Sequence, residues 1–111
     1  LPEGEIRSQV ATSVDLFPTI AALTGASLPT DRVLDGRDIR PILESANAEL
    51  PLRDLHWQMF DEWAVRRGPW KLIHHPRDTD ASVIDKGPDA LFLSNLEMDH
   101  TERTNYVSDY P

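Results

Sequence analysis

The sequence predicts an α+β fold: a small antiparallel β-sheet with flanking helices. Three observations carry this. The first half holds two helix openings of the same form, "DLFPTIAALTG" and "DIRPILES". From Leu52 onward the hydrophobic period changes from helical to alternating. The pair Gly68-Pro69 then breaks that alternation where a hairpin needs its turn. The expected division is residues 1–50, terminal helices and a linker, and residues 51–111, the small antiparallel sheet.

Each element follows in order. In the first helix Asp15 is the expected N-cap and Pro18 lies in the first turn, where its missing N–H costs nothing. Leu16, Ile20 and Leu23 share a face with Phe17, and Gly25 stands where the helix stops. In the second, Asp38 caps, Pro41 occupies the first turn, and Ile39, Ile42 and Leu43 form the apolar side. "ASLPTDRVLDGR" between them is a loop. Leu55, Trp57 and Met59 then alternate with His56, Gln58 and Phe60 as a strand buried on at least one face. Trp63 and Val65, then Trp70, Leu72 and Ile73, form a hairpin around the Gly-Pro turn, and "ALFLSNL" is one more strand. "PRDTDASVIDKGPD" is too polar and too broken for a core element and reads as a loop. "EMDHTERTNYVSDYP" closes with a turn and a short C-terminal helix.

Composition narrows the function. A chain of 111 residues is one domain or a piece of one. Leu1-Pro2-Glu3-Gly4-Glu5 has neither an initiator methionine nor the basic and apolar regions of a signal peptide, so it reads as a cut end. No apolar run approaches the roughly 20 residues that span a bilayer. The net charge of −8 argues against a nucleic-acid partner, since phosphate backbones are held by clustered cations. With no cysteine there is no disulfide, thiolate metal site or cysteine nucleophile.

Several segments invite a chemical reading. Asp78–Asp89 half-matches a calcium loop, but Val83 stands where the sharp turn needs Gly, and Asp89 where a bidentate Glu belongs. A solvated acidic loop fits better. His74 and His75 are adjacent on a strand, so their side chains should point to opposite faces and not share an ion. Arg66, Arg67 and Lys71 form the one basic cluster and can meet an anion, although Asp61 and Glu62 stand close by as ordinary ion-pair partners. No Gly-x-Ser-x-Gly frame presents a nucleophile.

The order of the segments resembles the closing part of the formylglycine-dependent, arylsulfatase-like sulfatases of the alkaline-phosphatase-like superfamily. The residues that carry this are Asp15-Leu16-Phe17-Pro18-Thr19, Gly25, and Leu34-Asp35-Gly36 before Ile39 and Leu43. "AVRRGPWKLIHH" is similar to the family's Val-Arg, turn, Trp-Lys-Leu hairpin. Leu93, Leu96, Asp99, Glu102 and Asn105 match its terminal signature, with two departures: Ser94 for an aromatic and His100 for a proline. "SLPTDR" is not the nucleophile signature of such enzymes, because Thr30 replaces its serine and Arg32 comes one residue late.

The resemblance implies that residues 1–50 close the large α/β domain of a sulfatase and residues 51–111 form its C-terminal small subdomain. It implies a parent that hydrolyses sulfate esters with Ca²⁺ and a formylglycine, both upstream of this chain. No catalytic or metal residue is therefore carried over, and the chain alone is expected to be inactive. Its expected partners are the upstream catalytic domain and, through it, a sulfate ester, with no nucleic acid and no membrane. The family also points to export, periplasmic or secreted. Trp57, Trp63 and Trp70 are expected to build the subdomain core, and His56, Arg66 and Arg67 to reach the substrate rim. The competing reading is a free-standing, non-catalytic ligand- or protein-binding module derived from the sulfatase tail.

Overall fold

The computed structural model describes residues 2–76 and 90–111. They fall into two compact units, Leu1–Pro51 and Leu52–Pro111. Among the described residues, no helix is long and apolar enough to cross a membrane.

The first unit contains a 3-10 turn, Ser13–Asp15, running into helix α1, Leu16–Thr24, and a short helix α2, Arg40–Glu44. Asp15 is the N-cap of α1, as the sequence suggests, but its side chain makes no capping bond to that helix. It is the third residue of the 3-10 turn, and its Oδ2 accepts the Thr12 N–H at 2.9 Å. Its other oxygen accepts the Arg37 N–H at 3.0 Å, across the loop. Thr19, one turn on, donates its hydroxyl to the Asp15 carbonyl (2.6 Å) and accepts the Ile39 N–H (3.1 Å). Both residues are buried, so each takes its partners from backbone that would otherwise be orphaned.

Gly36 lets the loop come this close. A Cβ there would sit 1.9 Å from the Val14 carbonyl oxygen. Asp38, the expected cap, lies one position before the observed N-cap, Ile39, yet acts at the start of α2: it accepts the Arg40 N–H at 2.9 Å and pairs with the Arg40 guanidinium. The far end of α2 is served by Arg7, which donates to the carbonyls of Ile42 and Leu43, satisfying groups that a helix C-terminus leaves open. Gly25 ends α1 in the left-handed conformation, as its sequence position suggests.

The expected apolar stripe of α1 faces the other way. Pro18, Thr19 and Ala21 are the buried residues. Leu16, Phe17, Ile20 and Leu23 are 51–56% exposed. In α2 the expected side is buried, with Ile39 and Ile42 in the core.

The second unit is a four-stranded antiparallel sheet in the order β1-β2-β3-β4. The strands are β1, Asp54–Met59; β2, Glu62–Arg67; β3, Trp70–His74; and β4, Leu91–Asn95. Arg67 pairs with Trp70 across the Gly68-Pro69 turn, where Gly68 takes a positive φ of 58°. Phe60 and Asp61 make the turn between β1 and β2, and Phe60, with φ 58°, adopts a conformation that bulky residues rarely enter. The tail after β4 consists of turns and not the expected short helix.

Register and alternation sort the side chains onto two faces. Leu55, Trp57 and Met59 share one face with Ala64, Arg66, Lys71, Ile73, Phe92 and Ser94. Burial on that face is concentrated at β4, where Phe92 and Ser94 are fully buried. It fades toward β1, where Trp57 and Met59 are exposed, so neither supplies the expected core. Trp63 also lies at the surface. Trp70 packs edge-on against Tyr106 and Tyr110 of the tail.

Candidate functional site

The β2–β3 hairpin and the strands beside it carry the residues that sequence puts forward. The register separates them. Arg66 lies on the Leu55 side and donates its Nε to the Gly68 carbonyl at 2.9 Å. Arg67 lies on the opposite face, exposed, 3.5 Å from Asp54. His56 shares that face with Arg67, one diagonal step away across β1 and β2, and is exposed. His56 and Arg67 are thus brought together, and Arg66 is not. The two can meet an anion from one side of the sheet; a fork of two adjacent arginines on one ligand is excluded by the alternation.

Lys71, the third cation of the cluster, is taken up internally. Its Nζ donates to Glu102 Oε2 at 2.9 Å, and Ser94 donates to the other carboxylate oxygen at 3.0 Å. Glu102 adopts a left-handed φ of 52°, so the clasp holds the tail against the sheet through a strained residue. This explains one departure from the family pattern: Ser94 is buried and needs an acceptor, and Glu102 supplies it. His100, the other departure, is exposed beside a turn organised by Asp99. The Asp99 carboxylate accepts the Thr101 hydroxyl and the N–H groups of Thr101, Arg103 and Thr104. These bonds, that of Thr101 foremost, hold it at about 2, below the usual carboxylate range.

His74 and His75 do not point apart. His75 leaves the strand with φ 54°, and its ring stacks on His74 with centroids 3.9 Å apart. Trp63 lies parallel to His74, at 5.2 Å, so three rings run in a row. Asp61 closes one side: its carbonyl accepts from His74 Nδ1 at 3.3 Å and its carboxylate lies 3.7 Å from His75 Nδ1. Stacked imidazoles project their ring nitrogens side by side, which does not suit one shared ion. Among the described residues no group of three His, Cys, Asp or Glu could hold a metal ion, and the resemblance assigns none of them to the family's Ca²⁺ site. The segment Asp78–Asp89, weighed above as a calcium loop, lies outside the described residues.

Sequence reasoning did not find the Lys71–Ser94–Glu102 clasp or the role of Asn105. The Asn105 side chain accepts the Leu93 N–H and donates to the Leu91 carbonyl, lying along β4 as a strand would. Their signal was the order of Leu93, Leu96, Asp99, Glu102 and Asn105, which marked the segment without giving its contacts.

Two short helices followed along the chain by a small antiparallel sheet, with this order of turns, is the architecture the resemblance implies for a segment of a sulfuric ester hydrolase. Comparison with curated proteins agrees: curated sulfatases match this chain. It is 29% identical to a sulfatase of Formosa agariphila over 99% of its own length and 21% of that protein. It is 52% identical to the steryl-sulfatase of Rattus norvegicus over 36% of the chain and 7% of the relative. It is 40% identical to human arylsulfatase D over 43% and 8%. The chain spans about a fifth or less of the curated relatives it matches. No family model matches it.

Proposed function

We propose that this chain acts as the C-terminal portion of a sulfatase: residues 1–50 complete the large α/β domain and residues 51–111 form the small subdomain beside the substrate. The parent hydrolyses sulfate esters with Ca²⁺ and a formylglycine, and this chain alone is inactive. The observation that carries the reading is the outward apolar side of α1. Four large apolar side chains are half exposed on one short helix, more than an isolated surface helix needs. An upstream catalytic domain is the partner that covers them. In this reading His56 and Arg67 stand at the substrate rim, and Arg66 supports the hairpin turn behind them.

The test starts with the mass of the native product in its source cell, read with an antibody to this segment. A product several times heavier than 12.6 kDa, hydrolysing an aryl sulfate and weakened by Ile20→Lys, is the expected result. A product near 12.6 kDa from an equally short reading frame would sink the proposal and leave the free-standing module.

A further inference from the structure

The two edges of the sheet differ in how their backbone is used. Across the Phe60-Asp61 turn the closing pair is Met59↔Glu62, so Met59, Trp57 and Leu55 direct their N–H and C=O groups toward β2. Asp54, His56 and Gln58 therefore direct theirs outward. At β4 the equivalent outward groups are occupied: Leu93 N–H by Asn105 Oδ1, Leu93 C=O by the Tyr106 N–H, and Leu91 C=O by Asn105 Nδ2. At β1 no described residue other than those of β2 takes part in backbone pairing. Of the usual protections β1 carries one charge, Asp54. Its sequence, DLHWQM, has no Pro and no Lys, and its register with β2 runs residue for residue without a bulge.

We propose that β1 is a pairing edge for a second copy of this chain, joined antiparallel about a two-fold axis through His56. The strand is complementary to itself in that register. Asp54 of one copy faces Gln58 of the other, so the carboxylate meets an amide donor and not a second acid. His56 faces His56, and Gln58 faces Asp54. All three are outward residues, so each pair exchanges its backbone bonds. On the other face Leu55 of one copy meets Trp57 of the second, and Trp57 meets Leu55, covering a tryptophan that is 46% exposed in the single chain. An axis through Trp57 would instead set Asp54 against Phe60, whose left-handed turn conformation breaks the pairing. The contact is isologous, as a two-fold dimer requires. A six-residue edge buries less than the roughly 1,200–2,000 Å² of a stable interface, so the dimer is weak and forms at about 10–100 µM. This inference does not depend on the sulfatase reading.

Sedimentation equilibrium of the 111-residue chain tests it, together with amide exchange at His56 and Gln58. The expected result is a mass rising from 12.6 kDa toward twice that value across this range, with both amides slowing in step, in proportion to the fraction dimerised. His56→Pro, which deletes an outward donor, abolishes both changes, while Ile20→Lys on α1 leaves them intact. A chain that stays monomeric to 300 µM overturns the proposal. So does a dimer in which the His56 and Gln58 amides exchange as fast as in the monomer, or one that Ile20→Lys dissolves. The exchange readout on the unsubstituted chain decides the matter even where His56→Pro fails to fold.

Discussion

Asp15 and Glu102 each tie a distant segment to its unit, one buried and the other about a quarter exposed. Asp15 grips backbone N–H groups of Thr12 and Arg37. Glu102 grips side chains, Lys71 and Ser94. The difference teaches where each unit is rigid. A buried carboxylate on backbone donors has no solvent substitute, and its loss orphans the donors. A part-exposed ion pair can be replaced by water, and its worth is small.

The largest expected effect sharpens the first half of that contrast. Gly36→Ala forces a Cβ into the Val14 carbonyl and should destabilise the first unit by about 3–5 kcal/mol. All three tryptophans lie in residues 52–111, so amide exchange at Arg37 and Ile39 is the measurement that follows the first unit. Asp15→Ala comes next, at about 2–4 kcal/mol, because two backbone donors lose their acceptor. The same exchange experiment reads it, and unchanged protection at Arg37 would break the comparison. Glu102→Gln should cost only about 0–1 kcal/mol, read by urea unfolding through Trp70 beside Tyr106 and Tyr110. A loss as large as that of Asp15→Ala would show the clasp to be as demanding as the buried lock.

The smallest effect is a pH dependence. The Asp99 carboxyl is lowered in the folded chain to about 2, so its contribution to stability is complete above the unfolded value near 3.8 and fades as pH falls through 2. Carbon-detected titration of the Asp99 carboxyl should place its midpoint there. A midpoint near 3.8 would mean that the turn is not held by that carboxylate.

Much of the fold is legible because its signals are local. Gly68-Pro69 fixes the hairpin turn, Gly25 ends α1, and alternation marks the strands. What sequence misjudged depends on surroundings. Leu16, Phe17, Ile20 and Leu23 form a proper amphipathic stripe, but periodicity says only that a helix has an apolar side, not that this chain covers it. Trp57 and Met59 repeat the lesson on the sheet. His74 and His75 were misplaced because one backbone angle, φ 54° at His75, ends the alternation on which the expectation rested. For the candidate site, alternation alone already parts Arg66 from Arg67, whereas the capture of Lys71 by Glu102 spans thirty-one positions and leaves no local trace.

Asn105 has a consequence beyond holding the tail. By lying along β4 it leaves the sheet with a single direction of growth. The proposed pairing through β1 then stops at two chains, since among the described residues β4 offers no second template. Asn105→Ala would free the Leu93 N–H and the Leu91 carbonyl but leave the Leu93 carbonyl held by the Tyr106 N–H; only with that bond also lost would the subunit become two-ended and a self-limiting association turn into a fibre with no built-in length.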